Sequence, residues 1–236
     1  MRLPLVRQYF PELPADTVAQ LGRLASAVRV WNERINLISR KDADNIEEHH
    51  VLHALTMAKV LRPAAGAMFA DLGTGGGFPG LVLAIVYPEC RFTLVDSVGK
   101  KIGAVTAMAD ELGLKNVRGL AVRAETIREK FDYVTGRAVT ALPAFLGWAR
   151  PLLRPGHAGQ PDNGVLYFKG TLWREELASG AVQPAAVWPL DAWVPRPFFA
   201  EKFLLHFRAP IARPEPVSRI RSEERRVGKE CRSRWS

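Results

Sequence analysis

Cysteine is almost missing from this chain: Cys90 and Cys231 are the only two in 236 residues. They support neither a disulfide framework nor a zinc-ligand spacing, so a reducing compartment and no structural metal are expected. Long apolar runs are missing too. No stretch approaches the roughly 20 residues that span a bilayer, and the opening MRLPLVRQYF lacks the apolar core of a secretory signal. The expected location is cytoplasmic, with no membrane partner. The sequence also offers no Ser/His/Asp or Cys/His constellation and no HExxH motif, which removes the common nucleophilic and zinc-hydrolase chemistries. Acid is scarce relative to base, with 24 Asp and Glu against 33 Lys and Arg, a formal net charge of +9.

Part of that excess is set aside. RSEERRVGKECRSRWS, from Arg221 to Ser236, has no apolar periodicity and matches an open-frame translation of a DNA-sequencing adapter, so it is expected to be an assembly artefact in which Cys231 and Trp235 carry no meaning. Its six cations and three anions contribute +3, and removing them leaves +6. A chain of that balance is consistent with a polyanionic partner. With 47% hydrophobic residues it has enough apolar material for one large packed core.

What is present is organised around FADLGTGGGFPG, Phe69 to Gly80. The apolar run Ala67 to Leu72 reads as a buried strand and PGLVLAIVY as a helix, with a glycine-packed turn between them. Gly73, Gly75 and Gly77 alternate, where missing Cβ atoms permit unusual φ/ψ and close approach of a ligand to the backbone. Phe78 stands where a GxGxxG dinucleotide fingerprint wants its last glycine, and no Gly-Lys-Ser/Thr ending marks a P-loop. Asp71 at the strand end suits a ligand carrying positive charge, and S-adenosylmethionine is such a ligand.

Before the turn, residues 1 to 66 read as a helical extension. Asp16 is a candidate cap, and Leu21, Leu24, Val28, Trp31, Ile35 and Ile38 form one apolar stripe. Asn32 and Asn36 flank it, either turning the helix end or lining a cleft. A second helix, about Asp44 to Leu61, carries His49, His50 and His53, read as a basic or hydrogen-bonding face rather than a metal site. After the turn, strands alternate with helices. RFTLVDS ends a second strand in Asp96, placed to accept from a ribose or to cap the next helix. A third strand near Asn116 to Val122 leads to Ala124 and Glu125, FDYVTGRAV delivers Arg137, and GVLYFKG delivers Lys169. Asp71, Asp96, Glu125, Arg137 and Lys169 thus fall on the carboxyl edge of one parallel sheet, where open α/β sheets bind ligands. Trp173 to Ser179 reads as a short helix. Two closing strands, about Ala185 to Val194 and Glu201 to Ala209, complete an α/β fold with a seven-stranded, mostly parallel, Rossmann-like sheet of the class I methyltransferase kind. The expected organisation is extension 1–66, S-adenosylmethionine-binding core 67–212 and tail 213–236.

With WNERINLIS (Trp31 to Ser39), DLGTGGGFPG (Asp71 to Gly80), LVDSVGKK (Leu94 to Lys101), RAE (Arg123 to Glu125), GRAV (Gly136 to Val139) and FKG (Phe168 to Gly170) in view, the chain resembles the bacterial 16S ribosomal RNA guanine-N7 methyltransferase G family, formerly glucose-inhibited division protein B, from about Ala15 to Lys169. The resemblance implies methyl transfer from S-adenosylmethionine to guanine N7 in 16S ribosomal RNA, free or within the 30S subunit, by a monomer. By matching position it implies Gly73, Phe78, Ala124, Glu125 and Arg137 as cofactor contacts. Arg137 and Lys169 are the expected positioning pair for the reaction. His53 departs from the family pattern, which has an aspartate there. Three rivals are weighed: a methyltransferase on another acceptor, a nicotinamide oxidoreductase, which Phe78 argues against, and an idle RNA-binding module on the same scaffold.

Overall fold

The computed structural model describes residues 1–178 and 182–211. Ser179 and the expected tail 213–236, with its supposed artefact, lie outside them.

Among the described residues, seven strands form one sheet: β1 Met68–Leu72, β2 Arg91–Asp96, β3 Val117–Ala121, β4 Tyr133–Arg137, β5 Gly164–Lys169, β6 Ala186–Pro189 and β7 Phe203–Arg208. They lie in the order β3-β2-β1-β4-β5-β7-β6. The first five are parallel, and β7 runs antiparallel between β5 and β6. The strand order reverses at β1, so the crevice at the carboxyl ends of β1, β2 and β4 is where such a sheet leaves room for a ligand.

Strand residues alternate between two apolar layers, as the period of two requires. In β5, Leu166 and Phe168 join the layer under the N-terminal helices, while Val165 and Tyr167 join the opposite one. Across β2, β1 and β4, Phe92, Phe69 and Tyr133 are in register, and their rings stack at 4.7 and 4.8 Å. This aromatic ladder fixes the register of the central strands, since a slip by one residue would drive all three rings into the other layer.

The extension contains α1 Pro4–Tyr9 and α2 Ala15–Asn32. Its Val6, Phe10, Leu21, Leu24 and Val28 share one apolar cluster with Phe69 of β1 and Leu81 of the helix that follows it. Asp16 does not cap α2: Pro14 holds the cap position and Asp16 lies inside the first turn, where its charge still suits the positive helix end. The asparagine at the other end does turn the chain. Oδ1 of Asn32 accepts from the N–H groups of Leu37 and Ile38 at 2.9 and 3.0 Å. The expected second helix is instead a series of short pieces, 3-10 at Arg40–Asn45, π at Glu47–Leu52, α at His53–Leu55 and 3-10 at Thr56–Lys59.

The remaining helices are α3 Gly80–Val86, α4 Gly99–Glu111, α5 Leu142–Ala149 and α6 Trp173–Leu177. The closing pair is shorter than expected on its first strand. Beyond Pro189 the chain enters the 3-10 turn Leu190–Ala192 rather than continuing the ladder.

Candidate active site

Three glycines of the turn between β1 and α3 have left-handed backbones, with φ of 68° at Gly73, 56° at Gly75 and 90° at Gly77. Asp71 holds this turn from beneath. Its Oδ2 accepts from Thr74 Oγ1 at 2.7 Å and from the Gly80 N–H at 3.0 Å, and its Oδ1 from Thr135 Oγ1 at 3.0 Å. Burial pushes this carboxyl up to about 6, against the pull of those donors. Gly80 is required by the same contact, because a Cβ there would lie 2.2 Å from Leu94 Cδ2 and 2.9 Å from Asp71 Oδ2. The expectation that Asp71 meets a cationic ligand is therefore corrected. The side chain is 1% exposed, borders neither of the clefts that flank the turn, and shapes the turn instead.

The first cleft, about 440 Å3, lies over the ends of β1, β2 and β4 and is bordered by Gly73, Asp96, Val98, Ala124, Glu125 and Trp148. Asp96 reaches both ways. Its Oδ2 accepts from the Gly75 N–H at 3.1 Å and its Oδ1 from the Val98 N–H at 2.9 Å, so it clamps the turn and opens the loop to α4 while bordering the cleft. Ala124 and Glu125 sit in a 3-10 turn after β3. Trp148, which no motif singled out, and Val98, within LVDSVGKK, supply apolar wall from α5 and the β2–α4 loop.

A second cleft of about 390 Å3 meets the first at Gly73, Lys101 and Ala138 and is bordered by Phe78, the three histidines and Phe198. Gly75 also borders it, while Gly77 turns toward Leu81, whose Cδ1 would lie 2.4 Å from a Cβ there. Arg137 leaves the end of β4 into its wall. Nη1 donates to the His49 carbonyl at 2.8 Å and lies 3.4 Å from His53 Nδ1, Nη2 lies 2.7 Å from His50 Nδ1, and the guanidinium stands 5.5 Å from the Phe78 ring centroid. Burial lowers Arg137 to about 10, which leaves it a cation at neutral pH. No carboxylate lies within ion-pair distance of it among the described residues. Burial and the adjacent guanidinium lower His50 to about 3 and His53 well below its usual range. Both rings are therefore neutral, with Nδ1 accepting and the proton on Nε2. Neither Nε2 has a hydrogen-bond partner among the described residues. His49 turns elsewhere, its Nδ1 2.7 Å from Asp42 Oδ1. The i, i+4 pair His49 and His53 thus faces different partners, and no group of three potential ligands able to hold a metal occurs among the described residues.

Lys169 is brought near but not freed. It borders a neighbouring cleft of about 380 Å3 with His53 and Arg137. Its ammonium is 2.6 Å from Glu176 Oε1, and Glu176 Oε2 accepts from the Leu142 N–H at 2.6 Å. Lys169 thus forms an ion pair that links β5, α6 and the start of α5 rather than standing free at the cleft. No helix among the described residues is long and apolar enough to cross a membrane.

The family model described as rRNA small subunit methyltransferase G matches residues 17–185. The ribosomal RNA small subunit methyltransferase G of Flavobacterium johnsoniae is 40% identical over 201 residues, covering 85% of this chain and 95% of the relative. That of Bacteroides fragilis is 44% identical over 168 residues, covering 71% and 82%. Among solved structures, MtNAS in complex with MTA and tNA superposes with a TM-score of 0.54 at 14% identity, covering 88% of this chain and 76% of that one. Geranyl diphosphate C-methyltransferase from Streptomyces coelicolor, in complex with Mg2+, geranyl diphosphate and S-adenosyl-L-homocysteine, gives 0.50 at 12% identity, covering 66% and 78%. At those identities the structures attest a shared fold alone.

Proposed function

The chain belongs to the rRNA small subunit methyltransferase G family, and from that premise we propose that it transfers a methyl group from S-adenosylmethionine to N7 of a guanine in 16S ribosomal RNA.

The first cleft suits the cofactor. A Cβ at Gly73 would lie 2.7 Å from Val139 Cγ1, so this corner stays open only with glycine. Asp96 and Glu125 offer acceptors for hydroxyl and amino groups, and Val98 and Trp148 offer apolar wall for a flat base. Gly73, Asp96, Ala124 and Glu125 would hold it there, and Gly75, Phe78 and Arg137 would reach it from the adjoining second cleft, with Asp71 and Gly77 shaping the turn. When bound it supplies an electrophilic methyl on a sulfonium.

The observation that carries the choice of acceptor is the donor character of the second cleft. Arg137 only donates, and Lys101 only donates. Asp42, the sole carboxylate among the described residues that border the cleft, is engaged by His49. Guanine presents two acceptors, N7 and O6, on one edge, whereas adenine presents an N6 amino donor beside N7. The donor-only side chains Arg137 and Lys101 favour the guanine edge. N7 bears an in-plane lone pair and no proton, so no general base is needed, in keeping with neutral His50 and His53. Alignment is then the main contribution of the protein, an effect worth roughly 7–11 kcal/mol in favourable cases. Substrate RNA would be held through phosphates by exposed cations, hence salt-dependently. The proposal extends to a monomer acting in the cytoplasm, in which residues 1–66 form an extension packed on a core from residue 67 onward.

Incubation with tritiated S-adenosylmethionine and bare 16S RNA, assembled 30S subunits or bulk protein, followed by digestion to nucleosides, tests this reading. The expected product is labelled 7-methylguanosine from one of the RNA forms. Label in protein alone, or in another nucleoside, would overturn it.

A further inference from the structure

One side of the second cleft is built as a stacked column. The Lys202 ammonium lies 4.0 Å from the centroid of Phe198. The His49 imidazole lies 3.9 Å from that centroid, inclined by 10°. Two groups this close to one centroid must occupy opposite faces of the phenyl ring, so the order is ammonium, phenyl, imidazole. The edge of Phe198 is closed by His53 at 5.6 Å and 79° and by Phe199 at 5.1 Å and 90°. The outer face of His49 has no ring partner among the described residues, and the residue borders the cleft.

This outer face is held still. The ring edge is fixed by Asp42 at 2.7 Å, and the backbone carbonyl of His49 takes the Arg137 Nη1 donor at 2.8 Å. Phe198 comes from the 3-10 turn Pro197–Phe199 between β6 and β7. That turn is tied to the histidine segment by a two-pronged contact of Arg196 with Glu48 at 2.7 and 3.0 Å. Single-stranded RNA bases are commonly read by splaying them onto aromatic rings, histidine included. A flat ring, fixed at its edge, backed by a phenyl and bordering the cleft whose donors suit a guanine edge, is such a platform.

We propose that the outer face of His49 is the stacking platform for the guanine received by the second cleft, with Phe198 and Lys202 as positioning residues behind it. This rests on the reading of the second cleft as the acceptor site.

The test compares the full chain with its His49→Ala, His49→Phe and Phe198→Ala variants. For each, KM and kcat are measured on small-subunit ribosomal RNA, and affinity for S-adenosylhomocysteine is measured by calorimetry. His49→Ala is expected to raise KM for RNA about 5- to 100-fold, the range found when a base-stacking ring is removed, and Phe198→Ala to raise it less. His49→Phe, which keeps a ring face, is expected to stay within about threefold of wild type. S-adenosylhomocysteine affinity is expected to be unchanged in all three. An unchanged KM in His49→Ala, a His49→Phe variant as impaired as the alanine one, or loss of S-adenosylhomocysteine affinity in His49→Ala would each overturn the platform while leaving the methyltransferase reading intact. A wild-type protein that yields no 7-methylguanosine would overturn both.

Discussion

Nη2 of Arg137 lies 2.7 Å from Nδ1 of His50, and this contact dictates the state of the ring. A guanidinium has donors only, so His50 must accept at Nδ1 and keep its proton on Nε2. The relation also works in reverse. His50, His53 and the His49 carbonyl hold the planar fork of Arg137 in one orientation in the wall of the second cleft. A lysine would keep the charge and lose the fork. Arg137→Lys is therefore expected to lower kcat at saturating cofactor by about tenfold or more, with an unfolding midpoint close to wild type. Equal turnover of the two proteins in a methyl-incorporation assay would show that the geometry of the guanidinium is irrelevant.

The same contact sets a pH dependence of stability. His50 is lowered to about 3, and His53 is lowered well below its ordinary 6.5, in both cases chiefly by burial and then by Arg137. Depressed histidines contribute stability that is complete above about 6.5 and lost as pH falls, because the unfolded chain takes up protons that the fold refuses. At pH 5 His50 alone would cost about 2 kcal/mol, and His53 acts in the same direction. Asp71 acts in the opposite sense. Its carboxyl, raised to about 6 by burial, favours the fold below its unfolded value and loses that contribution as pH rises through 6. Between pH 7 and 5 it returns about 1 kcal/mol, too little to cancel two histidines. Urea midpoints are expected to fall from pH 7 to pH 5, and to fall less in His53→Leu. A flat profile in the wild-type protein would contradict the buried neutral rings.

Gly73 allows a sharper test of the turn. It has φ of 68°, borders both clefts, and leaves 2.7 Å between a hypothetical Cβ and Val139 Cγ1. The left-handed backbone alone costs a non-glycine residue roughly 1–2 kcal/mol. Because Val139 presents the end of a side chain rather than backbone, the fold can absorb this. Gly73→Asp is expected to remain folded, to lose about 1–2 kcal/mol of stability, and to bind S-adenosylhomocysteine too weakly for calorimetry to detect. Unchanged affinity would remove the turn from the cofactor site.

The short, near-continuous apolar runs Phe69 to Leu72, Phe92 to Val95 and Val165 to Phe168, with glycine-rich punctuation between them, made the parallel core legible, because parallel strands buried on both faces read that way. Asp96 and Arg137 were legible for the same reason: strand ends in such a sheet converge on one edge. Asp71 was not. An acid at a strand end reads alike whether it faces a ligand or the N–H groups of the following helix, and only the approach of Gly80 to Asp71 Oδ2 decides the matter. The π turn at Glu47–Leu52 was hidden because its residues suit an ordinary helix equally well, yet that wider turn carries His49 and His50. Phe198 and Trp148 come from segments distant in sequence, and no local pattern ties either to a cleft.

Lys169 separates position from role. It stands at the carboxyl edge as its strand requires, but its side chain is only 14% exposed and is committed to Glu176. Burial pushes the Glu176 carboxyl up. The hydrogen bond from Lys169 and the Leu142 N–H outweigh that and hold it below the usual value. A lowered carboxylate contributes stability above its unfolded range and loses it as pH falls through its folded value. Lys169→Met is therefore expected to lose about 1 kcal/mol at neutral pH, between the worth of an exposed pair and a buried one, and the gap from wild type should close as pH falls through the lowered Glu176 value. Its kcat should stay within about threefold of wild type, since the guanidinium of Arg137 does not depend on this pair. A fall of a hundredfold in kcat with stability unchanged would return Lys169 to the reacting centre and make Glu176 its tether.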